Sequence, residues 1–339
     1  MITANTNWDF IDGRRILVTG GTGSFGKQLI RSLISCAKPK EIIVFSRDEL
    51  KQFEMRDLFP VEKTPVRYFL GDIRDKERLY RVCSGVDFIV HAAALKQVPT
   101  AEFNPFEVVK TNIIGSENVI EAALENNVER VIALSTDKAC NPINLYGATK
   151  LASDKLFAAA NNWQGSHQTK FAVVRYGNVV GSRGSVIPFF LKKKEEGLIP
   201  VTDRRMTRFW ITLPQGVDFV VRCLELMNGG ELFVPKIPSM GIMDLVKAIA
   251  PEASIEYVGI RPGEKLHEVM ISRDDAVNTL EFEGHYVIQP SQPWWDGIKY
   301  QEITGGNRVP DDFFYASDNN QEWLTVPQLE EMLEPSLNL

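Results

Sequence analysis

Short apolar runs separated by longer amphipathic stretches dominate the first half of the chain. The runs are Arg15–Thr19, Glu41–Phe45, Val66–Leu70, Val86–Val90, Val131–Leu134 and Phe171–Val174. Runs of this length that are rich in Ile and Val are typical of strands buried in a parallel sheet. The stretches between them place apolar residues every three or four positions, which predicts helices with one buried face. Strands and helices that alternate in this way predict an α/β fold built on a doubly wound parallel sheet.

The pattern changes after about residue 180, where Pro and Gly become frequent and the predicted elements become short. Met206–Met227 differs from its surroundings because it is typical of a strand followed by an amphipathic helix that packs back on the sheet. We therefore predict a sheet domain of residues 10–180 plus 206–230. Residues 181–205 plus 231–339 are predicted to form a smaller C-terminal α/β domain that binds substrate.

Three glycines at three-residue spacing follow the first predicted strand and precede the first predicted helix. They are Gly20, Gly23 and Gly26. Glycine permits a tight turn and a close backbone approach, and a helix N-terminus offers N–H groups to a pyrophosphate. In this position the spacing is a strong indication of a Rossmann-type dinucleotide site.

The end of the second predicted strand bears on which dinucleotide is bound. An NAD site often has an acidic residue there that binds the ribose hydroxyls. Ser46 and Arg47 occupy that place, with Lys51 one turn further on, and a guanidinium and a hydroxyl suit a 2′-phosphate better. We therefore expect NADP+. NAD+ is the alternative, because Asp48 and Glu49 are close enough to reach a ribose.

The next two strand ends add further candidates for cofactor binding. Asp72 either accepts a hydrogen bond from an adenine amino group or caps the helix that begins near Lys76. Ala92–Ala94 are small enough for the backbone to pack closely against a cofactor. The predicted cofactor residues are Gly20, Thr22, Gly23, Ser24, Phe25, Gly26, Ser46, Arg47, Lys51, Asp72, Ile73, Ala92, Ala93, Ala94, Tyr146 and Lys150.

Four reactive groups follow the fifth predicted strand, at the edge where a parallel sheet binds its ligands. They are the hydroxyl of Thr136, the carboxyl of Asp137, the amine of Lys138 and the phenol of Tyr146. Tyr146 and Lys150 are four residues apart and share a helix face. An ammonium about 4 Å from a phenol favours the phenolate by roughly 4 kcal/mol at an effective dielectric of about 20, or about three pKa units. Tyr146 would then be a usable base near neutrality. The alternatives are a chance spacing for this pair and, for Asp137 and Lys138, an exposed ion pair worth at most about 1 kcal/mol.

Composition excludes several classes of protein. The net charge of −6 gives no indication of a nucleic-acid partner. The four cysteines and four histidines lack metal-ligand spacing, so we predict no metal site and the reduced thiols of a cytoplasmic protein. The N-terminus lacks a basic and then apolar signal segment, and no stretch approaches the ~20 apolar residues of a membrane span.

The chain resembles the extended short-chain dehydrogenase/reductase family over most of its length. Within that family it is similar to the inverting UDP-N-acetylglucosamine 4,6-dehydratases of pseudaminic acid synthesis. The segments that carry the resemblance are Thr19–Gly26, Phe45–Lys51, Ala92–Pro99, Ser135–Ala139, Arg175–Val179, Met206–Phe209 and Arg261–Lys265. Retaining relatives have Asp-Glu in place of Asp137-Lys138, and simple epimerases have neither group.

The resemblance implies an internal redox cycle on NADP+. Tyr146 takes the proton of the 4-hydroxyl, which Thr136 hydrogen-bonds, and Lys150 orients the nicotinamide ribose. Lys138, as a neutral amine, removes the proton on carbon 5, and Asp137, as a protonated acid, donates to the departing 6-hydroxyl. An acid and a base side by side must differ in protonation state, and an adjacent ammonium opposes a protonated Asp137.

The resemblance also implies UDP-N-acetylglucosamine as substrate and assembly into a homo-oligomer, either a dimer or a hexamer. The candidate substrate residues are Lys96, Asn178, Arg183, Arg208, Arg261 and Glu264. Each of the charged ones has the alternative reading of a solvated surface residue. The alternative functions are a retaining 4,6-dehydratase, a 4-epimerase of a nucleotide sugar, and an NADP-sensing regulatory protein on the same fold.

Overall fold

The structure, a computed structural model, describes residues 6–163, 165, 167–181 and 186–337. Its strands are β1 (Arg15–Thr19), β2 (Glu41–Ser46), β3 (Val66–Leu70), β4 (Phe88–His91), β5 (Arg130–Thr136), β6 (Lys170–Tyr176), β7 (Asn178–Val179), β8 (Leu198–Val201), β9 (Thr207–Ile211), β10 (Leu232–Pro235), β11 (Ser239–Gly241), β12 (Ser254–Tyr257), β13 (Val269–Ile271), β14 (Thr279–Glu281), β15 (His285–Ile288), β16 (Asn307–Arg308) and β17 (Tyr315–Ala316). Its α-helices are α1 (Ser24–Cys36), α2 (Glu49–Leu58), α3 (Lys76–Val82), α4 (Val98–Phe103), α5 (Pro105–Val109), α6 (Gly115–Glu125), α7 (Leu145–Ala160), α8 (Val186–Glu195), α9 (Leu213–Leu226), α10 (Ile242–Ile249), α11 (Arg273–Ala276), α12 (Gly297–Thr304) and α13 (Val326–Leu337).

A large sheet organises the molecule. Within the described residues its strand order is β16-β14-β15-β10-β6-β5-β4-β1-β2-β3. Its parallel part consists of β10, β6, β5, β4, β1, β2 and β3. The strands β15, β14 and β16 extend the sheet with antiparallel pairs. The predicted doubly wound parallel sheet is confirmed.

Helices cover both faces of the sheet because successive strand residues point to opposite sides. Val18 of β1 belongs to the core that contains Leu33 of α1 and Val220 of α9, whereas the preceding Leu17 belongs to the core that contains Phe157 of α7. The prediction that the helix within Met206–Met227 packs back on the sheet is confirmed.

A smaller cluster lies beyond the sheet, around α8, α10, α13 and the β8–β12 pair. Ile187, Ile199, Leu245 and Leu329 belong to its core. Some of the predicted 231–339 segment nevertheless joins the main sheet, through β10 and β14 to β16. The division into two domains stays a prediction, since pairing alone does not define a domain.

Strand and helix ends differ in places from the predicted elements. β4 ends at His91 and not at Val90, and the buried His91 ring lies with its Nδ1 2.8 Å from Thr19 Oγ1. α7 begins at Leu145, because the Asn144 side chain caps it by accepting from Gly147 N. The suggested capping role of Asp72 is wrong.

The cap of α3 is instead Asp75, which accepts from the backbone N–H of Arg78 at 2.9 Å. Across the ranges that the structure describes, no helix has both the length and the apolar character needed to cross a bilayer.

Candidate active site

A long cleft of about 1190 Å³ lies at the carboxyl ends of the parallel strands. One wall is formed by the ends of β1, β2, β4, β5 and β6. The other wall comes from α8, β9 and the segment 261–268. Ligands of doubly wound sheets bind at this edge, so the cleft is where the candidate residues are expected to meet.

The glycine turn between β1 and α1 forms one end of the cleft. Gly20 has a φ of +67°, and a Cβ there would lie 2.9 Å from the backbone of Ala93. A Cβ on Gly26 would collide with the carbonyl of Gly21. The N-cap of α1 is Gly23, which has no side chain to satisfy the first N–H groups of the helix. The turn therefore fits a bound pyrophosphate.

Charged residues at the end of β2 are tied to one another. Asp48 caps α2 by accepting from Lys51 N at 3.0 Å, and its carboxylate lies 2.7 Å from Lys51 Nζ. These hydrogen bonds hold the pKa of Asp48 below its usual range. Arg47 is half exposed and only 3.5 Å from Asp72 Oδ2, while Ser46 is buried at the cleft wall.

The carboxylate of Asp72 is hydrogen-bonded to Arg74. It accepts from Arg74 N at 3.0 Å, from Nε at 2.9 Å and from one guanidinium NH2 at 2.7 Å. The contact that we expected with adenine stays a prediction. Ile73 and Ala92–Ala94 line the cleft beside it.

The turn that leaves β5 brings three of the predicted catalytic residues together. Thr136 Oγ1 donates to Asp137 Oδ1 at 2.9 Å, and Lys138 Nζ lies 3.0 Å from the same oxygen. Asp137 is only 1% exposed, so the reading of this pair as an exposed surface ion pair is wrong. Lys138 lines the cleft and also lies 3.2 Å from Glu268 Oε1.

The protonation of Lys138 differs from the form that the resemblance implies. Burial lowers its pKa, but the carboxylates of Asp137 and Glu268 outweigh burial, and the pKa is raised above the ordinary value for lysine. Lys138 is therefore an ammonium in this arrangement, and the neutral amine requires a proton transfer.

The expected lowering of the pKa of Tyr146 is also wrong. The Tyr146 and Lys150 side chains line the cleft and are nearly buried. Burial raises the pKa of Tyr146 to about 12, and the cation that most opposes it is Lys138, with the Thr136 hydroxyl acting in the same direction. Burial also lowers the pKa of Lys150, which Asp154 partly offsets. The cost of desolvating a phenolate outweighs the attraction of the nearby cation.

A buried hydrogen-bond network that we did not predict fixes α7 against β5 and β6. Asp154 lies one turn after Lys150, and its Oδ2 accepts from Ser135 Oγ at 2.7 Å and from Arg175 at 3.3 Å. Arg175 also donates to the carbonyl of Met270 at 3.0 Å. The i, i+4 spacing of Lys150 and Asp154 was the available signal. Glu268 was also missed, although it follows the Arg261–Lys265 motif closely.

The candidate substrate residues divide into two groups. Arg208 is largely used in structure, since its guanidinium donates to the carbonyls of Thr207 at 2.7 Å, Leu266 at 3.0 Å and Lys265 at 3.0 Å. The other residues in the cleft wall are Lys96, Asn178, Arg261 and Glu264. Arg183 lies outside the described residues.

Within this second group, two residues have free capacity to bind a ligand. Glu264 Oε2 is buried without a hydrogen-bond partner among the described residues, and Oε1 is 3.6 Å from Arg208. Lys96 makes no ion pair with any residue that the structure describes, and desolvation lowers its pKa. An acceptor and a cation in one cleft suit a ribose hydroxyl and a phosphate.

The glycine turn and the Tyr146–Lys150 pair on one cleft are typical of the extended short-chain dehydrogenases/reductases. Residues 16–290 match the family model described as polysaccharide biosynthesis protein, and the chain belongs to that family.

Relatives and solved structures agree with this family. The chain is 57% identical over 326 residues to an inverting UDP-N-acetylglucosamine 4,6-dehydratase of Campylobacter jejuni subsp. jejuni serotype O:2, which covers 94% of this chain and 97% of the relative. It is 38% identical to a UDP-glucose 4-epimerase of Rickettsia prowazekii, with 96% of each covered. The structure of Pen from Bacillus thuringiensis superposes with a TM-score of 0.87 at 35% identity, covering 97% of this chain and all of that one. The dTDP-glucose 4,6-dehydratase DesIV of Streptomyces venezuelae, solved with NAD and TYD bound, gives 0.65 at 25% identity over 74% of this chain and 86% of its own.

Proposed function

We propose that this protein is a hydro-lyase that catalyses the 4,6-dehydration of UDP-N-acetylglucosamine with inversion at carbon 5. The product is UDP-2-acetamido-2,6-dideoxy-β-L-arabino-hex-4-ulose. The observation that carries the proposal is the buried Asp137–Lys138 pair beside Tyr146, in which Lys138 lines the cleft and Asp137 lies behind it. The identity of 57% to an inverting dehydratase supports both the substrate and the stereochemistry.

The proposed cofactor is NADP+, with NAD+ as the alternative. When bound, it supplies a hydride acceptor for carbon 4 and returns the hydride to carbon 6. The glycine turn would hold its pyrophosphate, and Ser46 and Arg47 would hold the 2′-phosphate. NADP+ is supported because Asp48, the nearest carboxylate for a ribose diol, already caps α2 and pairs with Lys51.

Tyr146 is the proposed base for the 4-hydroxyl. Its phenol must lose a proton as carbon 4 is oxidised, although burial raises its pKa to about 12. The charge of Lys138 and the hydrogen bond with Thr136 both favour the phenolate. Lys150 and Asp154 lie on the same face of α7 and hold opposite charges beside it.

A single proton transfer converts the Asp137–Lys138 pair into its working form. Moving a proton from Lys138 Nζ to Asp137 Oδ1, 3.0 Å away, gives an amine and a carboxylic acid without an external reactant. The two atoms are already at hydrogen-bond distance, so the transfer needs no rearrangement of either side chain.

The working pair then carries the elimination. The amine takes the proton on carbon 5, and the electron pair of that C–H bond forms the C5=C6 double bond as the C6–O bond breaks. Asp137 donates its proton to the departing oxygen, which leaves as water. A proton from solvent is then added to carbon 5 on the opposite face, which gives the inverted centre and leaves Lys138 as the ammonium and Asp137 as the carboxylate.

Turnover of UDP-N-acetylglucosamine in deuterated water tests the proposal. We expect a product without the 6-hydroxyl, with one solvent deuteron on carbon 5 and inverted configuration there, read by mass spectrometry and NMR. A product that keeps the 6-hydroxyl would indicate an epimerase, and retained configuration would indicate a retaining dehydratase. Bound cofactor without any turnover would overturn the proposal in favour of a sensor. Lys138→Met is the control, which should give no deuterated product.

We further propose a cytoplasmic homo-oligomer, a dimer or hexamer, whose product enters pseudaminic acid synthesis. Phe103 and Phe106 are 87% and 77% exposed on neighbouring helices, an apolar surface that subunit contact would cover. Sedimentation velocity on the wild type and on Phe103→Asp tests the assembly, since the variant should shift toward monomer.

A further inference from the structure

A buried carboxylate that the proposed chemistry does not use lies against Lys138. Glu268 is 2% exposed and lines the cleft, and its Oε1 is 3.2 Å from Lys138 Nζ. Asp137 Oδ1 lies 3.0 Å from the same nitrogen, so the ammonium is held between two carboxylates. The other cations near Glu268 are more distant, with Lys265 at 3.8 Å and Arg208 at 3.9 Å.

The place of Glu268 is fixed by its backbone. Its N–H donates to Ser317 Oγ at 2.9 Å, and its carbonyl accepts from Ser317 N at 2.8 Å. Ser317 Oγ in turn lies 2.7 Å from Thr207 Oγ1. The second carboxylate oxygen, Oε2, has no hydrogen-bond partner in the part of the chain that the structure describes. The backbone hydrogen bonds with Ser317 therefore hold Glu268 beside Lys138, and they do not involve Lys138 itself.

We propose that Glu268 is a positioning residue for the elimination step, a role that rests on the proposed dehydration. A lysine side chain has a flexible four-carbon stem. A single ion pair with Asp137 would leave the amine free to turn away from the cleft. A second ion pair, with Glu268, holds the amine at the cleft wall. The same carboxylate stabilises the ammonium that forms when Lys138 takes the proton from carbon 5.

This role separates two half-reactions that a purely structural role would affect together. Oxidation at carbon 4 uses Tyr146 and Thr136, and Glu268 contacts neither of them in the described residues. The charge of Lys138 also favours the Tyr146 phenolate. Glu268→Gln nevertheless leaves that charge in place beside Asp137. Elimination uses Lys138, which Glu268 contacts directly. Loss of Glu268 should therefore cause the reduced cofactor to accumulate, because carbon 4 is still oxidised while the elimination of water is slow.

The test compares Glu268→Gln and Glu268→Asp with the wild type in stopped-flow absorbance at 340 nm and in product formation. Gln keeps the length and loses the charge, whereas Asp keeps the charge and withdraws it by one methylene. For both we expect kcat for dehydration to fall by about 10- to 100-fold, with KM within about 3-fold and the rate of cofactor reduction within about 3-fold. Glu264→Gln is the matched control in the same segment, and it should raise KM without accumulating reduced cofactor.

Two results would overturn the inference. One is wild-type dehydration in both variants, and the other is an equal loss of cofactor reduction and dehydration, which marks a structural role. Should Glu268→Gln not fold, Glu268→Asp retains the negative charge and carries the same comparison. A wild-type protein that does not dehydrate UDP-N-acetylglucosamine in this assay would instead refute the proposed function.

Discussion

Replacing Lys138 with Met should destabilise the fold as well as abolish dehydration. Lys138 Nζ lies 3.0 Å from Asp137 and 3.2 Å from Glu268, both nearly buried. At an effective dielectric of about 20, each contact gives a gross attraction of about 5 kcal/mol. Desolvation of the three groups cancels much of it, but the variant leaves two buried carboxylates without this cation. Breaking a buried pair in this way typically costs about 3–5 kcal/mol.

The pH dependence of that loss follows from the raised pKa of Lys138. A lysine whose pKa is higher in the folded state stabilises the fold fully below its unfolded pKa of about 10.4, and that stabilisation is lost as pH rises through the folded value. The difference in free energy of unfolding between wild type and Lys138→Met should therefore be the same at pH 7 and pH 9.

Guanidinium unfolding at both pH values measures the difference. The control is Lys247→Met, which breaks an exposed pair with Asp244 at 3.3 Å and should change stability by about 1 kcal/mol or less. A loss below about 1 kcal/mol in Lys138→Met, no larger than the control, would refute the reasoning that this ion pair is buried and coupled.

Three further predictions test the rest of the site. Tyr146→Phe should abolish the transient absorbance of reduced cofactor at 340 nm while cofactor binding persists, and unchanged absorbance would remove Tyr146 from its role. Gly26→Ala should release the cofactor, because its Cβ meets the Gly21 carbonyl; tight binding by calorimetry would show that the turn can open. Arg47→Ala should weaken NADP+ about 10-fold or more and leave NAD+ nearly unchanged, since only NADP+ carries a 2′-phosphate. Equal loss of both dinucleotides would contradict the preference for NADP+.

Local patterns were sufficient to predict the elements that hold the site. The alternation of apolar runs predicted β1 with its observed ends, and the glycine spacing predicted the turn that packs against Ala93. The Tyr146–Lys150 spacing predicted two side chains that line one cleft. These features depend on neighbours within a few residues, and such neighbours are visible in the sequence.

Features that depend on distant segments or on burial were not predictable in this way. Glu268 lies 130 residues from the lysine that it contacts, and Arg175 reaches both Asp154 and the carbonyl of Met270. The pKa of Tyr146 was expected to fall and instead rises to about 12, because spacing gives the charges nearby but not the water that burial removes.

The segment 261–268 lines the cleft and carries candidate residues for both ends of the proposed substrate, the nucleotide and the sugar. It carries Arg261 and Glu264 toward the proposed nucleotide, and it meets the catalytic turn at three contacts. These are Asn144 Nδ2 with the Gly263 carbonyl at 2.8 Å, Lys265 Nζ with the Cys140 carbonyl at 2.6 Å, and Glu268 with Lys138 at 3.2 Å. Binding energy from a remote part of a substrate can be used to hold catalytic groups in place. Because one segment serves both ends, a sugar substrate without its nucleotide should lose kcat as well as affinity.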